Sequence, residues 1–386
     1  MKLLYIAPLD NIHTQRWISF FSNRGHEIQI IDSAQTALKE FCGLPVHHIP
    51  WNEHSHLSSV PRFLLHIAQL PHFLKSFKTI LHTFRPEVVH LHWITGPYAY
   101  AISSTINCPL MATPWGSDIL IIAKKSWPHL LVTKRVVKKA DRFCCDAHHL
   151  AAALQNYGAS SETIDLIHFG TDTKRFSPEA KDENLAEELG FPPGTLLILS
   201  NRHLREVYDI GTLIKAIPEV VSRIPSCGFV IVGDGDQKPF LKQLVNDLGI
   251  DTYVRFVGRL SDQDMLRYTA SASIYVSTSL SDGGLAASTA EAMACAVPVI
   301  ITNFGENAEW TDQGKAGSLF EMKNASQLAQ NLIALLADEQ LRNEMGNHGR
   351  KLILERNDFY NEMSRAEIIY KQLKNTYSVV NNKGAV

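Results

Sequence analysis

Several features that define particular classes of protein are missing from this sequence. Its 386 residues carry 37 Lys and Arg against 39 Asp and Glu, and the net charge of −2 gives no general reason to expect a nucleic-acid partner. The six cysteines form no C-x-x-C pair, which argues against a disulfide frame or a zinc site and indicates reduced thiols in a cytoplasmic protein. No apolar run reaches about 18 residues, so no membrane-spanning helix is expected.

Two common phosphate-binding motifs are missing as well. The segment VGDGDQKPFLKQL, residues 232–244, follows an apolar run and opens a helical pattern. Gly233 and Gly235 could therefore hold a phosphate at a helix N-terminus. The segment does not match G-x-G-x-x-G, however, and no P-loop lysine follows it. A tight glycine turn remains the alternative.

The histidines give no convincing metal site. His90 and His92 in HLHW, and His54 and His56 further upstream, are close in sequence, but no third ligand stands at a suitable spacing. With seventeen histidines in the chain, such pairs arise by chance. We therefore expect no metal and no cofactor.

Short apolar runs alternate with longer amphipathic stretches along the whole chain. This pattern predicts parallel sheets covered by helices on both faces. Two sets of runs are separated by a charged, proline-bearing stretch, which predicts two doubly wound, Rossmann-like α/β domains facing a central cleft. The expected divisions are an N-terminal domain at 1–180, a linker at 181–194, a C-terminal domain at 195–355, and at 356–386 a final helix that returns to the N-terminal domain and ends in a frayed tail.

The segment SLSDGGLAASTAEAMACAVPVI, residues 279–300, carries the strongest functional signal. A turn at Gly283 and Gly284 lets a ligand approach the backbone closely, because no Cβ stands in the way. The helix that begins near Ala287 then points its free amides at that turn, which suits a diphosphate. One helical turn further on, Glu291 could accept hydrogen bonds from a ribose.

A second feature is the run from Ile119 to Ala140, which contains six Lys or Arg and no acid. Lys134, Arg135, Lys138 and Lys139 share one helical face, opposite Leu130, Val136 and Val137. This face could rest on anionic lipid headgroups, which would make the protein peripheral at the inner face of the cytoplasmic membrane. A solvated basic face is the alternative.

Several motifs resemble those of GT-B glycosyltransferases, specifically the large retaining family 4. They are TAEAMACAVPVIIT followed by NFGENAEW, the first helix-to-strand passage NRGHEIQIID, the signature HFGTDTKRF that contains Asp172, and VRFVGRLSDQDMLRYTASASIYVSTS. The similarity runs from Lys2 to about Leu373. It implies a GT-B fold and transfer of a sugar from a nucleotide sugar, UDP by preference, with no metal.

The resemblance assigns roles to residues of the donor side. It implies that Glu291 binds the donor ribose, that Gly283, Gly284, Leu285 and Ala286 face the sugar and phosphates, and that Arg202 neutralises the diphosphate. It also implies that the nucleobase packs against Phe256, Val257 and Gly258, with Gly233 nearby.

The sequence departs from the family pattern at four points. The usual acid eight residues before the ribose glutamate is replaced by Gly283, and Asp282 stands one position earlier. Position 207 is Val where a lysine is usual, so Arg205 is the candidate for the missing charge. LDNIHTQRW replaces the first glycine-rich loop, which makes His13, Thr14 and Arg16 candidates near the phosphates. Where many members have a histidine beside the acceptor, TPWGSD offers Trp115, with Gly116 and Asp118 following.

The expected partners are a nucleotide-sugar donor and a glycan or lipid-linked acceptor, with no nucleic acid. The resemblance implies a retaining transferase of cell-surface polysaccharide biosynthesis, such as that of lipopolysaccharide. Two alternatives remain open: a nucleotide-sugar epimerase of the same architecture, and a non-catalytic sugar-nucleotide-binding subunit.

Overall fold

The computed structural model describes residues 1–34, 36–49, 62–281 and 284–383, and the chain forms two compact units. Unit 1 combines Met1–Phe169 with the segment from Asn361 onward, and unit 2 is Gly170–Tyr360. Within the described ranges, no helix has the length and apolar character needed to cross a bilayer.

Unit 1 is built on an eight-stranded sheet in the order β3-β4-β2-β1-β5-β6-β7-β8. Its strands are β1 (Lys2–Ala7), β2 (Glu27–Asp32), β3 (Glu40–Phe41), β4 (Leu44–His47), β5 (Val88–His92), β6 (Leu110–Thr113), β7 (Arg142–Cys145) and β8 (Ile164–Leu166). Its helices before the last are α1 (Ile12–Asn23), α2 (Arg62–Phe84), α3 (Pro97–Thr105), α4 (Ser117–Leu120), α5 (Trp127–Lys139) and α6 (His148–Asn156). The β3–β4 pair is an antiparallel hairpin that the sequence reading missed, and the other pairs are parallel. All five residues of β5 are buried, as expected of a strand covered on both faces.

Unit 2 has a six-stranded parallel sheet in the order β11-β10-β9-β12-β13-β14. The strands are β9 (Leu196–Asn201), β10 (Cys227–Val232), β11 (Val254–Gly258), β12 (Ile274–Ser277), β13 (Val299–Thr302) and β14 (Gly317–Phe320). The helices are α7 (Leu185–Glu188), α8 (Ile210–Arg223), α9 (Lys238–Asp247), α10 (Asp262–Ser271), α11 (Ala287–Ala294), α12 (Asn307–Trp310), α13 (Ala325–Ala337) and α14 (Glu339–Arg356). The strand order reverses between β9 and β12, and ligands of doubly wound folds bind at the carboxyl ends of strands at such a point.

The last helix, α15 (Phe359–Lys383), begins in unit 2 and continues into unit 1. In unit 1 the hydroxyl of Tyr370 accepts a hydrogen bond from Trp17 Nε1 at 3.1 Å and lies 2.6 Å from His90 Nδ1. Glu367 accepts hydrogen bonds from Arg24 and pairs with His26 at 3.1 Å. Polar contacts therefore fix this helix to β5 and to α1 with the loop that follows it.

The segment predicted as a linker, 181–194, lies within unit 2. Leu185, Ala186 and Phe191 are buried in the core of unit 2, together with Phe176. A Cβ on Gly228 of β10 would lie 2.8 Å from the ring of Phe191, so this ring packs directly on the strand. The charged residues that suggested a linker sit between these buried apolar side chains.

Candidate functional site

The loops that follow β9 and β12 meet at the strand-order reversal of unit 2. Thr278 Oγ1 donates to the carbonyl of Tyr208 at 2.7 Å, and the Leu280 amide donates to the carbonyl of Val207 at 2.9 Å. Thr302 Oγ1 donates to the carbonyl of Ser279 at 2.7 Å. The first two bonds hold the loops after β9 and β12 together, and the third ties the β12 loop to the end of β13. A doubly wound fold binds its ligand at this position.

Arg202 follows β9 directly and reaches towards the first turn of α11. Its Nη1 lies 3.4 Å from Ser288 Oγ, which in turn lies 2.8 Å from the hydroxyl of Tyr275. Its guanidinium also stacks on the ring of Tyr208, 4.5 Å from the ring centroid, which restricts the rotamers of the arginine. A planar, permanently charged fork is thus held beside the beginning of a helix.

The helix α11 begins at Ala287, as the sequence predicted, with Ala286 as its N-cap. In the described part of the chain no side chain caps its first amides, so these donors and the positive end of the helix dipole can serve an anion. Glu291 is three residues after Ser288 and therefore lies on the same face of the helix. Its side chain is half-buried, whereas Ala290 and Ala292 beside it are buried in the core.

The two glycines of the 232–244 segment pack against the backbone that carries Arg202. A Cβ on Gly233, whose φ is +125°, would lie 2.3 Å from the carbonyl oxygen of Arg202, and one on Gly235 would lie 2.2 Å from that of Leu204. The helix α9 begins only at Lys238. This geometry is what the tight-turn alternative predicts, and it makes the glycines supports for the arginine.

A cavity of about 300 Å³ lies beside this arginine, over the carboxyl ends of β9, β10 and β11. It is lined by Asn201, Arg202, His203, Val232, Gly233, Asp234, Arg259, Leu260 and Met265. Gly258, with φ of +75°, connects β11 to this lining, and its carbonyl accepts the Gly233 amide at 2.8 Å. Sequence reasoning missed Arg259 and Met265, although a cation that directly follows Gly258 at a strand end was a usable signal.

The other donor-side residues fall in three groups. Gly284 and Leu285 are half-buried in the loop just before α11, and Val257 is half-buried in β11. Arg205 is exposed, as is Val207, so the region of the missing lysine is open to solvent. Asp282 and Gly283 lie outside the described residues.

In unit 1 the structure packs the rings of His13 and Trp115 against the ring of Phe169. The ring centroids of His13 and Phe169 are 4.9 Å apart, and those of Trp115 and Phe169 are 5.0 Å apart. Burial and the neighbouring Arg16 lower the pKa of His13 to about 4, so this imidazole is neutral at pH 7. Phe169 was quoted in the sequence signature, but no role was assigned to it.

Buried polar groups surround this aromatic cluster. Thr14 is fully buried, and its Oγ1 has no hydrogen-bond partner within the described ranges. His92, also fully buried, lies 5.8 Å from Trp115 by ring centroids, and neither of its ring nitrogens is paired with a described residue. Burial lowers the pKa of His92 to about 3. His90, by contrast, is a hydrogen-bonded core histidine between Tyr370 and Thr113.

Asp118 and Asp172 both accept hydrogen bonds from backbone amides. The full burial of Asp118 corrects its prediction as an acceptor-side group, whereas the predicted place of Asp172 on the acceptor or phosphate side stays a prediction. Asp118 is fully buried and accepts backbone hydrogen bonds from Ile94, Trp115 and Ile119, each at 2.9 Å. Burial raises its pKa, and these amides act in the opposite direction. Asp172 belongs to unit 2, where its carboxylate accepts the Arg175 amide of its own turn at 3.1 Å.

Gly116 is the N-cap of α4 and has a φ of +97°, a conformation that favours glycine. Among the described residues no cluster of three His, Cys, Asp or Glu is placed to hold a metal ion. His54 and His56 lie outside the described residues.

The fold and the site together define a doubly wound protein with an arginine beside a helix N-terminus at the strand-order reversal of its second unit. Two family models match the chain, "Glycosyl transferases group 1" over residues 181–352 and "Glycosyl transferase 4-like" over residues 2–147. Together they cover more than four fifths of its length. The chain belongs to the family 4 glycosyltransferases, which confirms the resemblance.

Curated relatives agree with this assignment. A GDP-mannose-dependent monoacylated alpha-(1-6)-phosphatidylinositol monomannoside mannosyltransferase of Corynebacterium glutamicum is 34% identical over 199 residues, covering 50% of this chain and 51% of that protein. The match thus spans about half of that relative. The N-acetyl-alpha-D-glucosaminyl L-malate synthase of Bacillus anthracis is 23% identical over 356 residues, with 90% of each chain covered.

Solved structures confirm the GT-B fold. HepE from Anabaena, crystallised with UDP, superposes with a TM-score of 0.76 at 18% identity, covering 96% of this chain and all of the other. At this level of identity the similarity concerns the fold.

Proposed function

We propose that this glycosyltransferase is a retaining, metal-independent enzyme that moves a sugar from a nucleoside-diphosphate sugar, with UDP as the preferred carrier. The acceptor is a glycan, glycolipid or lipid-linked saccharide of cell-surface polysaccharide biosynthesis. The observation that carries the proposal is the meeting of the Arg202 guanidinium with the first turn of α11 at the strand-order reversal.

The chemistry needs the negative charge of the leaving diphosphate to be neutralised as the glycosidic bond breaks. Arg202 supplies a fixed cation with a bidentate geometry, and the first amides of α11 supply donors that need no reorganisation. Arg205 is an additional cation on the loop after β9. Glu291, one turn deeper on the same helix face, accepts hydrogen bonds from the ribose hydroxyls.

No protein nucleophile is needed in this proposal. In retention through attack on the face that the diphosphate leaves, the diphosphate oxygen itself can take the proton of the acceptor hydroxyl. Asp282 is proposed to hold hydroxyls of the transferred sugar. On the acceptor side, His13 and Trp115 offer a neutral donor or acceptor and an aromatic face, which suit a sugar ring.

A donor screen tests the proposal. The purified protein is incubated with UDP-, GDP- and TDP-linked sugars, with and without EDTA, and released nucleoside diphosphate is measured. We expect slow hydrolysis of one donor class that EDTA leaves unchanged. Interconversion of two sugars without release would identify an epimerase, and binding without turnover would identify a non-catalytic subunit. NMR of a product made with a soluble acceptor then reads the anomeric configuration.

A further inference from the structure

The solvent face of α5 and the turn before it carry large apolar side chains that the core of unit 1 does not use. Ile121 is 67% exposed, Trp127 is 74% exposed and Leu131 is 56% exposed. Scattered apolar residues are ordinary on a protein surface, but these three stand within eleven residues of chain. They form the apolar part of the surface discussed below.

Helix geometry places part of this apolar group in line with basic side chains. Trp127, Leu131, Lys134 and Lys138 follow one another at spacings of four, three and four residues, so they share one face of α5. Thr133, Val136 and Val137 point the other way and are buried. The exposed face is therefore apolar in the first half of the helix and cationic in the second.

The charge on this surface has one sign. All six basic residues between Ile119 and Ala140 are exposed: Lys124, Lys125, Lys134, Arg135, Lys138 and Lys139. The two flanking acids are engaged elsewhere, because Asp118 is buried among backbone amides and Asp141 accepts the Leu110 amide at 2.8 Å. Lys138 and Lys139 also lie in the last turn of α5, where cations stabilise the helix dipole. That local role accounts for two of the six charges.

We propose that this basic-aromatic surface, formed by Ile121, Trp127, Leu131 and the six basic residues, docks the protein on an anionic lipid bilayer. Lysine and arginine next to an anionic leaflet gain favourable free energy, and tryptophan prefers the interfacial region of the bilayer. An anionic polymer such as a nucleic acid would pair with the lysines but would leave Ile121 and Leu131 in water. A lipid surface accommodates both kinds of side chain at once.

Flotation with lipid vesicles tests this proposal on the protein of 386 residues. We expect it to float with vesicles that contain phosphatidylglycerol at low salt, and to remain at the bottom with pure phosphatidylcholine. High salt should weaken binding to the anionic vesicles, because it screens the basic residues. Failure to float with anionic vesicles at low salt would overturn the proposal.

Two sets of substitutions separate the contributions of charge and apolar contact. Replacing Lys134, Arg135, Lys138 and Lys139 by Gln should lower partitioning by about fivefold per charge. The double variant Trp127→Ser and Leu131→Ser should lower partitioning to the anionic vesicles about tenfold or more. High salt should then release a larger fraction of the bound protein. The control pair Phe240→Ser and Lys242→Gln alters an exposed aromatic and an exposed lysine on α9 of unit 2 and should bind as the wild type does. A control as weak as the α5 variants would also overturn the proposal.

Fluorescence provides a second readout. Binding to anionic vesicles should shift tryptophan emission to the blue, and Trp127→Phe should abolish most of that shift. Donor hydrolysis without vesicles should be the same in all of these variants. Vesicle binding is measured without any donor, so its failure and a failure of the proposed transfer reaction are separate outcomes.

Discussion

Arg202 Nη1 lies 3.4 Å from Ser288 Oγ, across the point at which the strand order of the second sheet reverses. The two residues are 86 positions apart in the chain. Arg202 directly follows β9, and Ser288 lies in the first turn of α11. Their proximity places a fixed cation beside the amides of a helix N-terminus.

Arg202→Ala should lower sugar transfer by at least about 10²-fold while the protein stays folded, because removal of one preorganised charge-stabilising group has effects of this size. Initial rates with the preferred donor and thermal unfolding curves measure the two parts. The control Arg223→Ala removes an exposed arginine at the end of α8 and should change neither. Transfer at the wild-type rate in Arg202→Ala would remove this arginine from the mechanism.

Glu291→Ala should weaken binding of the nucleoside diphosphate by about tenfold or more, because hydrogen bonds to an ionised carboxylate are among the stronger ones. Isothermal titration calorimetry measures the affinity. Glu219→Ala, which removes an exposed glutamate from α8, is the matched control. Equal affinities in the two variants would contradict the ribose role.

Gly235→Ala should impair donor binding indirectly, through a shift of the backbone that carries Arg202. Its new Cβ would stand 2.2 Å from the carbonyl oxygen of Leu204, so the 202–204 backbone that carries Arg202 must move. We expect a lower melting temperature together with a raised KM for the donor. In Gly211→Ala the nearest atom to the new Cβ is 4.0 Å away, on Leu241, and this helical glycine should tolerate the change. An unaltered KM in Gly235→Ala would show that the packing of Gly235 against the 202–204 backbone does not affect donor binding.

Glu367 should make stability depend on pH in the acid range. Burial alone would raise the pKa of this carboxyl, but hydrogen bonds from Lys371, His26 and Arg24 lower it from 4.5 to about 2. A carboxyl whose pKa is depressed in the folded state stabilises the protein above its unfolded pKa and loses this effect as the pH falls towards the folded pKa. Denaturant unfolding should show wild type more stable than Glu367→Gln at pH 7.

That difference should shrink between about pH 4.5 and pH 2. A gap that stays constant down to the lower limit would show that the ion pairs do not hold α15 on unit 1.

Local sequence pattern predicted most of the secondary structure correctly. Apolar runs bounded by turn residues mark both sets of parallel strands, because a strand covered on both faces consists almost entirely of apolar residues. The start of α11 and the position of Glu291 on it follow from the same kind of local reading. The short β3–β4 hairpin escaped it, since two paired residues leave almost no periodic signal.

The roles of particular side chains were harder to read. Asp118 stood in a motif that suggested contact with a ligand, but the fold turns its carboxylate onto three backbone amides. Gly233 and Gly235 suggested a phosphate cradle, and the structure shows both packed against the 202–204 backbone, with Gly233 also lining the cavity beside Arg202. The aromatic contact of His13 and Trp115 with Phe169 joins residues from three distant parts of the chain.

The sequence by itself determined the type and order of most elements, the family motifs and the one-sided charge of α5, because these depend on neighbours within one or two helical turns. Only the tertiary structure decided which carboxylates accept hydrogen bonds from backbone amides and which glycines are needed for close packing. It also decided that Trp127 and Leu131 face solvent beside the lysines. Contacts of that kind depend on how elements far apart in the chain pack against each other, and local periodicity carries no information about such packing.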